Sequence, residues 1–332
     1  MDPLKIFSFL EEKSSWRDEL QIFASLPFKP FLLALKVYLK SRISLRYVFA
    51  AFTVLLYQVI DLYSYEVATY FSYALLFVGM LWLGIPHGAL DHLLSKNNKS
   101  PIVIFIIKYL IIMALYLLFW QVFPGLSLLI FVVYASFHFG ESELIQDKQQ
   151  VKSFRGYINS ILMGLSILLF ITTTHWDESL QIISIITDAE LNTEQVTRSN
   201  SWIVVVSCIS FVYVLAQRLL SKRQSHTALL FLLALGFFSP LLLAFGLYFI
   251  LQHSHNAWSH LKFGLGMSSF ELYKKSSVFT VGAVAIFLFI AFFVRSSSNF
   301  EGLWANFFIF IACISLPHFV LMHLFYVSIR SF

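Results

Sequence analysis

Cysteine and charge are both scarce in this chain, and each scarcity excludes a class of protein. The sequence has 2 cysteines in 332 residues. Cys208 and Cys313 lie in separate apolar segments, so they form neither a disulfide framework nor a thiolate metal site, and nitrogen and oxygen ligands remain. Charged residues make up 12% of the chain against 58% hydrophobic residues, which excludes a soluble domain of this length. The composition predicts a polytopic membrane protein.

The motifs of several soluble protein classes are also missing. The sequence has no Gly-rich nucleotide loop and no arrangement typical of a nucleophilic triad. The net charge of +5 is small and lies mostly in loops, which argues against nucleic acid as a partner. Residues 1–20 are polar and mixed in charge, so we expect no cleavable signal peptide. Residues 21–46 alternate apolar and basic side chains, which predicts a helix lying on the membrane surface.

Long apolar runs without strict alternation predict membrane-spanning helices and an all-α fold. Basic residues precede the first run and follow every second one, whereas the loop at 175–200 is acidic. Because lysine and arginine concentrate in cytoplasmic loops, we expect both termini in the cytoplasm. We expect a cytoplasmic or interfacial segment at 1–46 and a transmembrane domain that carries the site at 47–332, with about 8–10 helices. Ten apolar segments can be drawn, roughly at 47–63, 68–94, 103–123, 126–145, 157–174, 201–218, 226–240, 241–262, 277–295 and 303–328.

Histidines are concentrated in these apolar runs. Eight of the ten lie in four clusters, which are His87 with His92, His138, His253 with His255 and His260, and His318 with His323. Each cluster has one histidine that lies about 7–10 residues, or about 10–15 Å, from the cytoplasmic end of its span. These four are His87, His138, His253 and His318. An imidazole in hydrocarbon is unfavourable without a partner, so polar groups at this depth indicate function. The matched depth predicts convergence on one metal ion, whereas the alternative is that each ring hydrogen-bonds a neighbouring helix.

Carboxylates accompany two of these histidines. Asp91 lies four residues after His87 on the same helical face, and we expect it to hold the N–H of His87 or of a histidine on another helix. Glu141 lies three residues after His138, where it either orients that ring or acts as a base. The alternative is that Glu141 and Glu143 only mark the membrane interface. Asp91 and Glu141 are therefore the candidate catalytic residues.

Proline and glycine make the segment around His87 the most specific of the four. Pro86 removes a backbone donor and crowds the preceding turn, which loosens the helix beside His87. Gly88 and Ala89 allow a helix or a substrate to approach closely. The chain has 37 phenylalanines, 15 tyrosines and 7 tryptophans, a content that is common in membrane helices. Beside a metal site inside the bilayer, however, it suits a long apolar, π-rich substrate that enters from the lipid.

Three segments resemble the signatures of a known family. They are the G-x-P-H-G-A-x-D run from Gly84 to Asp91, the run from His138 to Gly140, and Tyr248-Phe249 followed by His253-Ser254. In order and separation these are similar to the Brp/Blh family of membrane β-carotene 15,15′-dioxygenases. The resemblance implies an enzyme with non-haem Fe(II) held by histidines, which cleaves β-carotene with O₂ into two molecules of retinal. It also implies a bacterial inner (plasma) membrane location and a retinal-binding rhodopsin as a downstream partner.

The resemblance further implies the iron ligands, with one departure. His87, His138 and His253 match the family's ligand positions. The family carries another ligand histidine four residues after the third of these, and this chain has Ala257 there. Either the position stays open or another histidine completes the set. The candidates are His318, which its depth favours, His255 and His260.

Two other functional classes remain open at this point. A membrane di-iron desaturase or hydroxylase is also rich in histidine, and His87-x4-His92 fits one of its motifs. That class needs adjacent histidine pairs, which the sequence lacks. An ion transporter would use Asp91 and the histidines as a relay, but the spans show no clear inverted repeat. Iron stoichiometry distinguishes the first class, and dependence of activity on carotenoid and O₂ distinguishes the second.

Overall fold

The computed structural model describes residues 45–94, 101–145, 153–187, 189, 201–221, 224–294 and 300–329. Every regular element within those ranges is helical, so the predicted all-α fold is confirmed. The helix expected on the membrane surface at 21–46 falls almost wholly outside the described residues. Three acidic residues of the 175–200 loop also lie outside the described residues, namely Asp188, Glu190 and Glu194.

The chain divides into two compact units, Met1–Phe71 and Ser72–Phe332. The described part of the first consists of α1 (Leu45–Asp61) and the first turns of α2 (Tyr65–Gly79). The second unit contains the rest of α2 and all residues of the candidate site. Its further helices are α3 (Ile85–Gly88), α4 (Asp91–Leu94), α5 (Ile102–Val122), α6 (Pro124–Leu144), α7 (Phe154–Thr174), α8 (Trp176–Thr187), α9 (Ser201–Ser221), α10 (Gln224–Gly236), α11 (Leu241–Tyr248), α12 (His255–Leu265), α13 (Ser269–Phe289) and α14 (Phe300–Ile329).

Seven helical stretches in the described ranges are long and apolar enough to cross a membrane. They are Tyr65–Leu94, Ile102–Val122, Pro124–Leu144, Phe154–Thr174, Ser201–Ser221, Ser269–Phe292 and Gly302–Ile329. The number is below the predicted range of about 8–10. Two of the predicted segments, 47–63 and 226–240, form helices of 17 and 13 residues, shorter than the roughly 20 residues that a span needs. The segment at 241–262 is helical, but Gln252, His253 and His255 reduce its apolar character.

Glycines bring α6 and α7 into backbone contact beside His138. A Cβ atom on Gly140 would lie 1.7 Å from the carbonyl oxygen of Ser160, and one on Gly164 would lie 1.8 Å from that of Ser136. Both distances are far inside van der Waals contact, so only glycine permits this approach of two helices. Because Gly140 is two residues after His138, the contact fixes the position of the His138 backbone in the bundle.

Two π-helical turns shape the helices that carry His87 and His253. The first, Met80–Gly84, ends where the Ile85 N–H donates to the carbonyl oxygen five residues back. Pro86 follows at once, so this is the loosening that the sequence predicts beside His87. The second, Phe249–Ser254, contains His253 and has no proline to signal it. Such turns are rare and are often found at functional sites.

Candidate metal centre

Four buried histidines from four helical stretches form one cluster. His87 in α3, His138 in α6, His253 in the second π turn and His318 in α14 are only 1–5% exposed. The ring centroids lie 5.6 Å apart for His87 and His253, and 5.0 Å apart for His87 and His318. They lie 4.9 Å apart for His138 and His253, and 5.1 Å apart for His138 and His318. Each ring therefore has two neighbours in the cluster, and the four histidines of matched depth lie side by side.

The spacing of the rings is the spacing that a shared ion requires. A bond between a metal and an imidazole nitrogen is about 2.1 Å long, so rings around one ion have neighbouring centroids about 5 Å apart. The observed separations of 4.9–5.6 Å meet this condition. The rings meet edge to face, at interplanar angles of 73–81°. Among the described residues, no group of three or more histidine, cysteine, aspartate or glutamate side chains already has metal-binding geometry, so the fit is one of spacing.

The hydrogen bonds of two rings determine which nitrogen carries the proton. His318 Nδ1 lies 2.8 Å from Asp91 Oδ1, and His87 Nδ1 lies 3.1 Å from the carbonyl oxygen of Leu83. Both partners are acceptors, so each Nδ1 donates and each Nε2 carries the lone pair. These two rings therefore have the tautomer that leaves Nε2 able to bind a cation.

Several ring nitrogens in the cluster are buried without a hydrogen-bond partner. They are both nitrogens of His138, Nδ1 of His253 and Nε2 of His318. A buried polar atom left unpaired costs about 1–3 kcal/mol, so four such atoms in one place need an explanation. A cation among the rings would take the lone pair of one nitrogen from each of these rings, and the donor set present here, imidazole nitrogen alone, fits a borderline metal such as Fe(II). The other nitrogen of His138 carries the proton and would take no part in binding the cation.

Asp91 connects three helices at the edge of the cluster. Its Oδ1 accepts the hydrogen bond from His318, and its Oδ2 lies 3.0 Å from the hydroxyl of Tyr109 in α5. The same hydroxyl lies 3.0 Å from the carbonyl oxygen of Ile314. Of the two partners that the sequence leaves open for Asp91, the structure selects a histidine on another helix. Tyr109 was not predicted as a site residue, because its signal in the sequence is a single hydroxyl within an apolar run.

Glu141 lies beside a different histidine from the one expected. Its Oε1 accepts a hydrogen bond from His323 Nδ1 at 2.9 Å, and it does not orient His138. Glu143 accepts a hydrogen bond from the amide nitrogen of Gln252 at 2.9 Å. Both glutamates are buried, at 0% and 3% exposure, so neither marks an exposed interface. They belong to a polar layer next to the histidine cluster.

The other candidates for a fourth ring lie outside the cluster. His255 is exposed, and His260 Nδ1 lies 3.3 Å from the hydroxyl of Tyr326. His92 stacks on Phe279, with a centroid distance of 4.2 Å. Ala257, which stands where the family carries a histidine, is fully buried in an apolar cluster. The fourth ring therefore comes from the last helix.

An apolar cavity of about 60 Å³ lies against the four rings. Phe139 and Phe249 lie 4.6 Å and 5.3 Å from the ring of His253, centroid to centroid. Other aromatic side chains in the wall are Tyr109, Phe131, Tyr134 and Phe245. Such a wall excludes water and offers π faces to an unsaturated ligand.

Comparison with known proteins places these residues in a family context. A family model described as beta-carotene 15,15′-dioxygenase matches residues 78–326, a range that contains all four clustered histidines. The beta-carotene 15,15′-dioxygenase of uncultured marine bacterium 66A03 is 23% identical over 263 residues, which cover 73% of this chain and 90% of that protein. No solved structure matches the chain.

Proposed function

The chain belongs to the β-carotene 15,15′-dioxygenase family, and from that premise we propose that it cleaves the central double bond of β-carotene with O₂ into two molecules of retinal. In this reaction the C15–C15′ bond breaks, and each of the two carbons takes one oxygen atom of O₂. The observation that carries the proposal is the cluster of four buried histidine rings beside an aromatic cavity. A metal-binding set and a space for a polyene occur together, within the range that the family model matches.

His87, His138, His253 and His318 are the residues that would hold Fe(II). Imidazole nitrogens suit this ion, and the lone pairs left on Nε2 of His87 and His318 agree with that role. When bound, Fe(II) supplies the redox chemistry that O₂ needs to react with an alkene.

The protein's own groups orient and shield the reacting bond. Asp91 holds the Nδ1 proton of His318, and Tyr109 holds Asp91 in turn. Orientation through an outer carboxylate is typical of metal-binding histidines. Phe139 and Phe249 border the cavity and present π faces to a rigid polyene while they exclude water. Glu141 accepts a hydrogen bond from His323, so any role it has would be through that histidine and not through contact with the reacting atoms.

The membrane is both the location and the source of the substrate in this proposal. β-Carotene dissolves in hydrocarbon, and the seven apolar stretches give the protein a surface for the bilayer. From the basic loops we propose a plasma-membrane orientation with both termini in the cytoplasm. The product is an aldehyde of low polarity, which suits transfer to a retinal-binding rhodopsin in the same membrane.

The proposal is tested with two alanine variants in one helical stretch. His253 is buried in the cluster and His255, two residues later, is exposed. Each variant and the wild type are expressed in cells that make β-carotene, and retinal is measured by chromatography. We expect retinal from the wild type and from His255→Ala, and none from His253→Ala. Retinal from all three would contradict the role of the cluster, and iron-loaded wild type that leaves carotene intact would overturn the cleavage assignment.

A further inference from the structure

A second cavity has Asp91 and Tyr109 in its wall. Its volume is about 390 Å³, and α5 and α13 form most of its wall. Ile85, Gly88, Tyr109 and Ile314 line both this cavity and the one at the histidine rings. The two spaces therefore adjoin and share one wall.

Size alone assigns different roles to the two cavities. Sites for small organic ligands are about 300–1,000 Å³, so the cavity of about 60 Å³ at the rings is too small for a C40 polyene. It is large enough for a short stretch of such a chain. The cavity of about 390 Å³ falls within the range of ligand sites.

The polar groups in the wall of the larger cavity already have partners within the protein. Asp91 accepts from His318 and Tyr109, and His92 Nδ1 lies 2.9 Å from the carbonyl oxygen of Ala89. The rest of the wall is almost wholly apolar, with Phe105, Leu110, Met113, Val278, Phe279 and Ile286 among its residues. A ligand that fits this chemistry is an uncharged hydrocarbon with no hydrogen-bonding groups.

The larger cavity also opens on the outer surface of the bundle. Leu110 and Val278 line it and are 42% and 75% exposed, and Gly282 beside them is exposed as well. These residues lie within Ile102–Val122 and Ser269–Phe292, two of the stretches apolar enough to span a membrane. An opening between two such helices faces hydrocarbon, so a ligand enters from the lipid.

We propose that this cavity is the binding site for one ring-bearing end of the carotene, whose polyene then passes Gly88 to reach the histidine cluster. The inference rests on the proposed function and adds where the substrate is held. Gly88 is suited to the passage, because a Cβ there would lie 3.6 Å from His318 Nδ1 and would narrow the way between the cavities. Tyr109 is the residue of α5 that lines both cavities.

Gly282 provides the test, because its position is empty of neighbours. A Cβ on this residue would meet nothing within 4 Å, and Gly282 lines the cavity, so we expect a larger side chain to occupy part of the cavity without a clash at the Cβ. Gly282→Leu also replaces a helix-disfavouring residue by a helix-favouring one. Gly125→Leu is the matched control, since its Cβ likewise meets nothing within 4 Å and it lines neither cavity.

The measurement is carotene binding without O₂, so that cleavage does not interfere. Purified wild type, Gly282→Ala, Gly282→Leu and Gly125→Leu in lipid nanodiscs are titrated with β-carotene, and quenching of tryptophan fluorescence reports binding. We expect the half-saturating carotene concentration to rise about tenfold or more in Gly282→Leu, less in Gly282→Ala, and not at all in Gly125→Leu. Equal iron content and a single size-exclusion peak confirm that each variant is folded.

The outcomes separate this inference from the proposed function. Unchanged binding in Gly282→Leu, or equal weakening in Gly125→Leu, overturns the cavity as the binding site. Wild type that binds no carotene overturns it as well. If Gly282→Leu loses binding while wild type with O₂ forms no retinal, the cavity stands as a carotene site and the cleavage assignment fails.

Discussion

The carboxylate of Asp91 and the imidazole of His318 meet at 2.8 Å, although 227 residues separate them in the chain. Both side chains are buried, and Asp91 is the hydrogen-bond partner of His318 Nδ1 while Tyr109 donates to the other carboxylate oxygen. Removing one partner of such a pair leaves the other polar group uncompensated, which is more unfavourable than losing an exposed contact. The pair therefore sets the tautomer of His318 and also holds α14 against the segment that follows His87.

Asparagine at position 91 tests that role. Asp91→Asn keeps the size of the side chain but removes the charge that favours the proton on His318 Nδ1. We expect iron affinity to fall about 10–100-fold, as when other outer partners of metal-binding histidines are lost. The iron affinity is measured as the amount of iron that stays bound after dialysis against a series of chelators. Tyr109→Phe keeps the Asp91–His318 pair and removes one hydroxyl, so we expect a smaller fall in iron affinity. If Asp91→Asn retains as much iron as the wild type, Asp91 does not have this role.

A second prediction at this scale concerns Glu178 in α8, which lies outside the candidate spans. Its Oε2 accepts the Leu241 N–H at 2.8 Å, and burial raises the pKa of this carboxyl above its ordinary value. The folded state then holds the proton more tightly than the unfolded state, so stability falls as pH rises from the ordinary value through the raised one. Glu178→Gln should flatten that decline in thermal unfolding measured from about pH 4 to 8. An equal decline in variant and wild type would assign it to other groups.

The rotation of each helix about its own axis is what the sequence predicts least. In α5 the exposed Ile107 and Ile111 and the buried Met113 and Trp120 are all apolar, so no amphipathic pattern distinguishes lipid from protein. For this reason the sequence could not predict the hydrogen bond between Tyr109 and Asp91, or the one between His323 and Glu141. Depth along a helix is different, because charged residues at the span ends mark it. The convergence of the four histidines could therefore be predicted, although their partners could not.

The contact of α6 with α7 gives a prediction at the element scale. Gly140→Ala places a methyl group 1.7 Å from the carbonyl oxygen of Ser160, which is a steric clash, so α6 and α7 must move apart beside His138. Overpacking of this kind typically costs about 1–3 kcal/mol of unfolding free energy, and we expect a clearly lower melting temperature. Size-exclusion chromatography after stepwise heating measures it. Gly125→Ala, whose Cβ meets nothing within 4 Å, should melt as the wild type does; equal melting of Gly140→Ala would contradict the close contact.

Within Ser72–Phe332, buried polar side chains lie among apolar helices. Composition and loop charge act over the entire chain, so the sequence was sufficient to predict a helical membrane protein with histidines at one depth. The described residues contain seven stretches long and apolar enough to span, fewer than the about 8–10 expected, because α10 is only 13 residues long and the stretch with His253 is interrupted by polar side chains. The two adjoining cavities depend on how side chains pack between helices, and no pattern along one helix contains that information.

X-ray absorption at the iron K-edge of the purified wild type and of His318→Ala tests the proposed iron site, since His318 supplies the fourth ring of the buried cluster. We predict about one iron per wild-type chain, with four nitrogen neighbours at about 2.1 Å, and fewer nitrogen neighbours or lost iron in the variant. An iron–iron distance in the wild type, or an iron environment that His318→Ala leaves unchanged, would contradict a single iron held by the four histidines.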